Sequence, residues 1–500
     1  MSNYFYNLLK IFMINKISNT GFNFDNSYIE LPPEFYSPAN LQPVKSPQLV
    51  ILNNELSNSL GLNTDFLKSP EGIYIMSGNI KIPDGAYISQ AYAGHQFGGF
   101  TMLGDGRALL IGEQITPSNQ RFDIQLKGSG RTPYSRNGDG RAVLGPMLRE
   151  YIISEAMHGL NIPTTRSLSV ISTGENVYRE TIQQGAILTR VASSHIRFGT
   201  FEYAAYMLDY EKLKKLSDYT IKRHFPFLEN NENKYINLLD EVIKLQASLV
   251  AKWQSVGFIH GVLNTDNMSI CGETIDYGPC AFMDVYNPDT VFSSIDTNGR
   301  YAYKNQIAIV NWNLYRLAET LLPLINSDEN KAIELAQNSL SKFINLATSN
   351  LSHEMCSKIG IFEPKTSDID LLNELLNMMQ KYKEDYTNTF IALTFNDLPQ
   401  KGMFISEEFI NWKKKWEETL TLQNKSKDEV FDLMKNSNPA VIPRNHRVEE
   451  ALSAANNGDF SVMNNLLKAL SNPFEHSEFQ KEYAKLPSTP QCNYRTYCGT

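Results

Sequence analysis

Cysteine is scarce in this sequence, and its spacing excludes the common disulfide and redox motifs. Only five of the 500 residues are cysteine, and no two of them form a C-x-x-C pair. Scattered cysteines in a long chain are typical of a reducing compartment rather than of a disulfide scaffold. The five are Cys271, Cys280, Cys356, Cys492 and Cys498.

Long apolar runs and blocks of one charge are absent as well. No run reaches the ~18 apolar residues that a transmembrane helix needs, so we expect no membrane partner. The formal net charge is −8 with no block of five or six like charges, which argues against nucleic acid as a partner. The start, MSNYFYNLLKIFMINKIS, lacks a signal-peptide cleavage site and the composition of a transit peptide, and Met13 offers an alternative start. We therefore expect a cytoplasmic bacterial protein, not a mitochondrial one.

The first half of the chain predicts a β-rich region. Residues 20–90 carry many prolines and little periodicity, so a loop-rich extension is expected there. FTMLGDGRALLIGE predicts two strands joined by a hairpin turn at its G-D-G. RFDIQLKGSG alternates, which directs Ile124 and Leu126 to one face and Lys127 to the other.

A helix and two more strands complete this half of the chain, after which the spacing of apolar residues becomes helical. Pro146 suits the first turn of a helix that ends at Gly159 and includes Glu150. SLSVIS and AILTRV predict strands. From about 235 onward the period is helical, and residues 305–425 are mainly helical patterns. The first of these helices has an apolar stripe formed by Leu238, Val242, Leu245, Leu249 and Trp253.

These patterns predict an α+β fold in which a β-rich lobe precedes an α-helical lobe. The expected limits are an N-terminal extension over 1–90, the β-rich lobe over 91–230, the helical lobe over 231–435, and a C-terminal extension over 436–500. The last part is expected to contain loops and short helices.

The stretch HGVLNTDNM, residues 260–268, is similar to the catalytic loop of a protein kinase, H-R-D-x-x-x-x-N. His260 and Asn267 keep the spacing of that loop, but Val262 stands where a kinase has its catalytic Asp. We expect His260 to pack the loop. The stretch belongs either to an inactive kinase-like protein or to an enzyme that catalyses a different reaction with the same kind of loop.

Other charged residues follow the order that phosphoryl or nucleotidyl chemistry requires. GDGR at 104–107 is a candidate phosphate-covering turn, although alone it is only a tight turn. Lys127 on a strand and Glu150 on the next helix suit a charge pair, and the alternative is a solvated lysine. Asn267 and Asp276 of D-Y-G suit a metal-binding pair.

Several long motifs make the chain resemble the selenoprotein O (SelO/YdiU) family. They are YAGHQFGGF, LGDGRALLIGE, QLKGSGRTPYSR, GDGRAVLGPMLREYIISEAMHGL, AILTRVASSHIRFGTFEYAA, HGVLNTDNMSICGETIDYGPCAFMD and NPAVIPRNHRVEEAL. The resemblance implies a protein-kinase-like two-lobed fold and transfer of AMP, rather than phosphate, to protein hydroxyls. It also implies that ATP binds flipped relative to kinases, with its γ-phosphate buried.

The resemblance further implies roles for individual residues. Asp266 is the proposed general base, with a loop-capping carboxylate as the alternative. Asn267 and Asp276 are the proposed metal ligands, and Glu150 positions the strand lysine. The proposed ATP contacts are Gly104, Gly106, Arg107, Lys127, Asp139, Gly140, Arg190, Arg197 and Asp276.

The sequence-based prediction is thus a protein adenylyltransferase with ATP as co-substrate and Mg²⁺ or Mn²⁺ as cofactor. Its expected partners are Ser, Thr or Tyr hydroxyls of other proteins and of itself, with UTP as a second donor. One rival is an atypical kinase that transfers the γ-phosphate, and another is an inert nucleotide-binding scaffold.

Two residues near these motifs have simpler interpretations. His95 in AGHQFGG is expected to be a hydrogen-bonded structural histidine. Cys498 lies where some members of the family carry a redox-active Cys or selenocysteine, but Arg495 occupies the companion position and the next cysteine is Cys492. We therefore expect Cys498 to be a free thiol.

Overall fold

A computed structural model describes residues 20–487 and 494–496. The described residues form two compact units. The first, called the sheet unit, runs to Ala91 and adds Leu103–Tyr151 and Thr165–His195. The second, called the helical unit, contains Tyr92–Met102, Ile152–Thr164 and the residues from Ile196 onward.

Twelve strands occur in the described residues. They are β1 Tyr36–Pro38, β2 Gln48–Leu52, β3 Ile88–Gln90, β4 Ala93–Gln96, β5 Gly99–Met102, β6 Ala108–Ile115, β7 Arg121–Lys127, β8 Ala142–Val143, β9 Arg166–Tyr178, β10 Ile182–Ala192, β11 Phe258–Ile259 and β12 Ala281–Phe282.

The α-helices lie mainly in the second half of the chain. They are α1 Asn54–Ser59, α2 Thr64–Lys68, α3 Pro70–Met76, α4 Leu144–Gly159, α5 Phe198–Met207, α6 Tyr210–His224, α7 Lys234–Ser255, α8 Gln306–Ile325, α9 Glu329–Leu340, α10 Phe343–Ser357, α11 Thr366–Tyr382, α12 Tyr386–Phe395, α13 Glu407–Leu422, α14 Lys427–Ser437, α15 Asn445–Asn456, α16 Ser461–Leu470 and α17 Glu478–Tyr483. Short 3₁₀ helices occur at Tyr28–Glu30, Pro33–Phe35, Pro226–Leu228, Thr265–Asn267, Tyr303–Asn305 and Gly402–Ile405.

The sheet unit is built on an eight-stranded sheet in the order β1-β3-β6-β7-β10-β9-β2, with β8 paired to β10. The alternation of β7 holds as predicted: Ile124 and Leu126 enter an apolar core with Ile171 and Ile187. The side chains of the opposite face are also buried, and they are the polar Asp123, Gln125 and Lys127. One face of β7 therefore faces the apolar core and the other carries a buried polar cluster.

One sequence-based expectation in this part of the chain was wrong, and another was incomplete. The G-D-G turn does not join a hairpin, because β5 pairs with β4 while β6 pairs with β3 and β7. Residues 20–90 are rich in loops as expected, but they also contribute β1, β2 and β3 to the large sheet and contain α1, α2 and α3. A local turn signal does not specify which strands pair, because pairing depends on contacts between distant segments.

The helical unit confirms the helical patterns over 305–425 and the short helices of the tail. On α7, four of the five stripe residues are buried, whereas Leu245 is 36% exposed. The core of this unit includes the stacked rings of Trp412 and Trp416 on α13, whose centroids lie 5.5 Å apart. No helix within the described residues is long and apolar enough to cross a membrane.

The chain is thus a mixed α/β protein with one unit rich in β-structure and one rich in helices, as its patterns predict. The cysteines among the described residues, Cys271, Cys280 and Cys356, form no disulfide with one another. The expectations about Met13, Cys492 and Cys498 lie outside the described residues.

Candidate functional site

Lys127 and Glu150 form a buried ion pair in the sheet unit. The Nζ of Lys127, at the end of β7, lies 2.6 Å from Oε2 of Glu150 on α4. Lys127 is 6% exposed and Glu150 is 2% exposed. The ion pair predicted between these residues, 23 positions apart, is therefore present. Lys127 is buried, so the alternative of a solvated lysine is wrong.

Arg190 on β10 joins this pair through the same carboxylate. Its NH1 lies 3.4 Å from the second oxygen of Glu150, and its NH2 donates to Oε1 of Gln125 at 2.6 Å. The amide nitrogen of Gln125 in turn donates to Oδ2 of Asp105 at 2.9 Å. Because Lys127 and Arg190 share one carboxylate, loss of Glu150 would leave two buried cations without that counter-charge.

The glycine-containing loops of the sheet unit are shaped by close contacts. Gly104 has a φ of 122°, and a Cβ at this position would lie 2.5 Å from the ring of Tyr134. Asp139, just before Gly140, pairs with Arg179 at 2.9 Å. Hydrogen bonds from Arg179 are the main cause that lowers the pKa of Asp139. Arg179 is a partner that the sequence did not indicate.

Arg197 organises the corresponding charged residues of the helical unit. Its NH1 donates to a carboxylate oxygen of Asp276 and, at 2.7 Å, to the main-chain carbonyl of Asp266. The guanidinium also lies over the ring of Tyr92, 4.7 Å from its centroid. This one buried side chain therefore holds the segments of Asp266 and Asp276 together.

The carboxylate of Asp266 lies in a narrow, largely enclosed space. Its Oδ2 accepts a hydrogen bond from Nε2 of Gln96 at 3.2 Å, while its buried Oδ1 has no hydrogen-bond partner among the described residues. A Cβ on Gly94 would lie 2.6 Å from Oδ1, so only glycine leaves room for the carboxylate. Burial raises the pKa of Asp266 to about 6, although Gln96 and Arg197 oppose that shift.

Strand β4 fixes the loop that carries Asp266. The main-chain N–H of His95 donates to Oγ1 of Thr265 at 2.7 Å. That hydroxyl donates to Glu202 at 2.6 Å, and Glu202 also lies 2.5 Å from Nδ1 of His95. His95 is therefore a hydrogen-bonded structural histidine, as expected. The sequence missed Gly94, Gln96 and Glu202 as neighbours of this loop, although two of them lie in the quoted motif YAGHQFGGF.

The oxygen atoms of Asn267 and Asp276 suit a divalent cation. Nδ2 of Asn267 donates a hydrogen bond to the carbonyl of Val262 at 2.9 Å. The amide oxygen Oδ1 of Asn267 is the atom that could bind a metal ion. No group of three or more His, Cys, Asp or Glu side chains arranged to hold a metal occurs among the described residues. Two protein oxygens fit Mg²⁺ or Mn²⁺, because such ions take their other ligands from water and substrate phosphates.

The rest of the kinase-like loop has a structural role. Val262 is 7% exposed, and its carbonyl positions Asn267. His260 is fully buried with Nε2 2.9 Å from the carbonyl of Ile275, which confirms that it packs the loop. Position 262 therefore has no group that could remove a proton.

The predicted site residues divide between the two units. The sheet unit contains Gly104, Gly106, Arg107, Lys127, Asp139, Gly140, Glu150 and Arg190, and the helical unit contains Arg197, Asp266, Asn267 and Asp276. Arg190 and Arg197, only seven positions apart, thus belong to different units.

Comparison with known proteins identifies the family of the chain. A family model described as "Protein adenylyltransferase SelO" matches residues 19–471. A protein named "Protein nucleotidyltransferase YdiU" from Bacillus cytotoxicus is 62% identical over 487 residues, which cover 97% of this chain and 99% of the relative. A protein of the same name from Clostridium beijerinckii is 61% identical over 97% of this chain and 99% of the relative. Another from Brevibacillus brevis is 60% identical over 96% of this chain and 98% of the relative. The chain therefore belongs to the SelO family of protein adenylyltransferases, and it is an enzyme that transfers a nucleotide group.

Proposed function

We propose that this enzyme transfers AMP from ATP to Ser, Thr or Tyr hydroxyls of other proteins and of itself, and releases pyrophosphate. The observation that carries the proposal is the arrangement around Arg197, which joins Asp276 to the segment of the buried Asp266. In this proposal Asp266 is the base, Asn267 and Asp276 are the metal ligands, and Val262 stands where a kinase has its base.

The proposed step is in-line attack of the acceptor hydroxyl oxygen on the α-phosphorus. Asp266 accepts the hydroxyl proton, a new O–P bond forms, and the bond to the β-phosphate oxygen breaks so that pyrophosphate leaves with the electron pair. A pKa of about 6 keeps this carboxylate mostly ionised at neutral pH and still basic enough to accept a proton. Gln96 donates a hydrogen bond to its Oδ2, and Gly94 leaves room for its Oδ1.

We propose that the charged residues of each unit bind the nucleotide. In the sheet unit, Lys127 and Arg190 would neutralise phosphate oxygens, and the glycine-containing loops of Gly104 and Gly140 would contact the nucleotide through their main chain. In the helical unit, Asn267 and Asp276 would hold Mg²⁺ or Mn²⁺. The bound ion supplies charge neutralisation on the phosphates. The flipped orientation of ATP and a kinase-like two-lobed fold are parts of the same proposal.

Two further features of the proposal concern the donor and the setting. UTP is a second candidate donor. The relatives named above come from bacteria, which supports a bacterial origin of this chain. A cytoplasmic location without membrane or nucleic-acid partners is a further part of the proposal.

Labelled ATP separates nucleotidyl transfer from its rivals. The protein is incubated with α-labelled or γ-labelled ATP and Mg²⁺ or Mn²⁺, and protein-bound label is followed. We expect label from the α-position only, and loss of that label in Asp276→Ala. Asp289→Ala is the matched control, because its carboxylate is 61% exposed and pairs only with Lys304 in the described structure. Label from the γ-position would support the kinase, and ATP binding without transfer would support the scaffold.

A further inference from the structure

A cavity of about 530 Å³ opens in the helical unit beside the loop of Asp266. Its volume lies within the range of ligand-binding sites in proteins. The residues around it include Phe97, Ile295, Asp296, Asn298, Arg300 and Ile309. None of them takes part in the proposed chemistry, so the cavity has no assigned role there.

One wall of the cavity is fixed directly to the loop that carries the proposed base. The main-chain N–H of Phe97 donates to Oδ1 of Asn264 at 3.1 Å, and the hydroxyl of Tyr301 donates to the same oxygen at 2.5 Å. Gln96, next to Phe97, donates to Asp266. Because Phe97 directly follows the residue that contacts Asp266, the residues that flank a hydroxyl at Asp266 would lie beside this wall.

The cavity combines exposed apolar side chains with a cation that lacks a carboxylate partner. Phe97 is 42% exposed and Ile295 is 53% exposed. Arg300 forms no ion pair with any described residue, and its buried Nε has no hydrogen-bond partner there. Its guanidinium lies 4.9 Å from the ring centroid of Trp312, which restricts its position.

The acidic residue of the cavity does not neutralise this guanidinium. The carboxylate of Asp296 is buried and accepts the main-chain N–H groups of Arg300 and Tyr301 at 2.9 Å and 2.8 Å. Its hydrogen bonds are therefore made within its own turn. A ligand that fits the site has a carboxylate for Arg300 and an apolar group for the walls.

We propose that this cavity binds the segment of the acceptor protein that flanks the modified hydroxyl, and that it selects an acidic residue with an apolar neighbour. The inference rests on the proposed nucleotidyl transfer, because that reaction requires an acceptor chain beside Asp266. Arg300 binds the acidic side chain, while Phe97 and Ile295 cover the apolar one.

Peptide binding tests the proposal without relying on catalysis. Two fluorescein-labelled peptides carry one Tyr each and isoleucines on both sides of it; one has Asp and Glu among these flanks, and the other has Lys at the same positions. Fluorescence anisotropy measures their affinity for the wild type, Arg300→Gln, Arg300→Glu and Arg316→Glu. Arg316 is the matched control, since it lies 5.1 Å from the same Trp312 ring but pairs with Glu319.

We expect the wild type to bind the acidic peptide about tenfold more tightly than the basic one. Arg300→Gln should abolish this preference, Arg300→Glu should reverse it, and Arg316→Glu should keep it. Thermal melting verifies that each variant is folded. Equal affinity of the wild type for both peptides overturns the proposal, as does an unchanged preference in the folded Arg300 variants.

Two parallel measurements separate this inference from the proposed reaction. If the Arg300 variants weaken ATP binding but not peptide preference, the cavity belongs to the nucleotide and the inference is wrong. Label from α-labelled ATP is followed on the same peptides. If no acceptor is labelled while Arg300-dependent peptide binding persists, the proposed transfer of AMP to hydroxyls fails and the acidic-peptide site stands. If labelling occurs without any dependence on Arg300, only the docking proposal fails.

Discussion

At the scale of single residues, the proposed reaction depends on the surroundings of the Asp266 carboxylate. Asp266 is buried, its Oδ2 is held by Gln96, and Gly94 leaves space for Oδ1. Because burial favours the neutral acid, the group has a higher pKa than an exposed aspartate. We propose that this carboxylate is the proton acceptor, and the first prediction tests that role against a loop-capping one.

The first prediction concerns Asp266→Asn, which keeps the shape of the side chain but removes its basicity. We expect kcat to fall by about 10²–10⁴-fold, the usual contribution of a general base, while the Kd for ATP changes little. Single-turnover transfer and ATP titration measure the two effects separately. A parallel loss of both would mean that Asp266 acts in nucleotide binding instead.

The second prediction concerns Gly94→Ala, which tests the position of the same carboxylate. The added methyl group would lie 2.6 Å from Oδ1 of Asp266 and must displace it. We expect kcat to fall by about a hundredfold, because a shift of ~1 Å in a catalytic group has effects of that order. Gly145→Ala is the control, since a Cβ there meets nothing within 4 Å. If both variants kept wild-type kcat, the position of Asp266 would not matter for the reaction.

At the scale of elements, the helical unit contains a buried lysine that the mechanism does not use. Lys358, just after α10, is 2% exposed, and its Nζ donates to the carbonyl of Ser437 at 3.3 Å. The ammonium lies 4.7 Å from the ring centroid of Phe390. Burial lowers the pKa of Lys358 to about 7.

The third prediction is that this lysine makes stability depend on pH. Between pH 7 and 9 the unfolded chain keeps the Lys358 proton while the folded chain loses it, so the free energy of unfolding rises with pH. We expect this lysine to contribute a rise on the order of 2 kcal/mol over that window, measured by urea unfolding of wild type against Lys358→Met.

The control for this experiment is Lys342→Met, which removes a lysine that is 57% exposed. This variant should keep the wild-type pH dependence. If Lys358→Met also kept it, Lys358 would be charged in the folded protein at pH 7 to 9.

The sequence predicted some helices and strands correctly but not all of the contacts between them. The alternation of β7 and the stripe of α7 follow from local periodicity, and both were recognised apart from the exposed Leu245. The pairing of β6 with β3 and β7 was not recognised, because a turn signal covers only a few residues. The support of Asp266 by Gln96 joins residues 170 positions apart, and no local pattern encodes such a contact.

At the scale of the whole molecule, the ordered motifs and the family match agree on nucleotide transfer. The family model and relatives that are about 60% identical extend over nearly all of the chain. Within the units, the Lys127–Glu150 pair and the Arg197–Asp276 pair supply two separate sets of charges. The central claim is that these charges serve transfer of AMP, with Asp266 as the base.

Doubly labelled ATP tests that claim most directly. ATP carrying one label in the adenine ring and a different label in the γ-phosphate is incubated with the protein and Mg²⁺ or Mn²⁺, and both labels are counted on the isolated protein. We predict that adenine label is bound covalently without γ-label, and that Asp266→Asn nearly abolishes it. Covalent γ-label without adenine label would contradict the account.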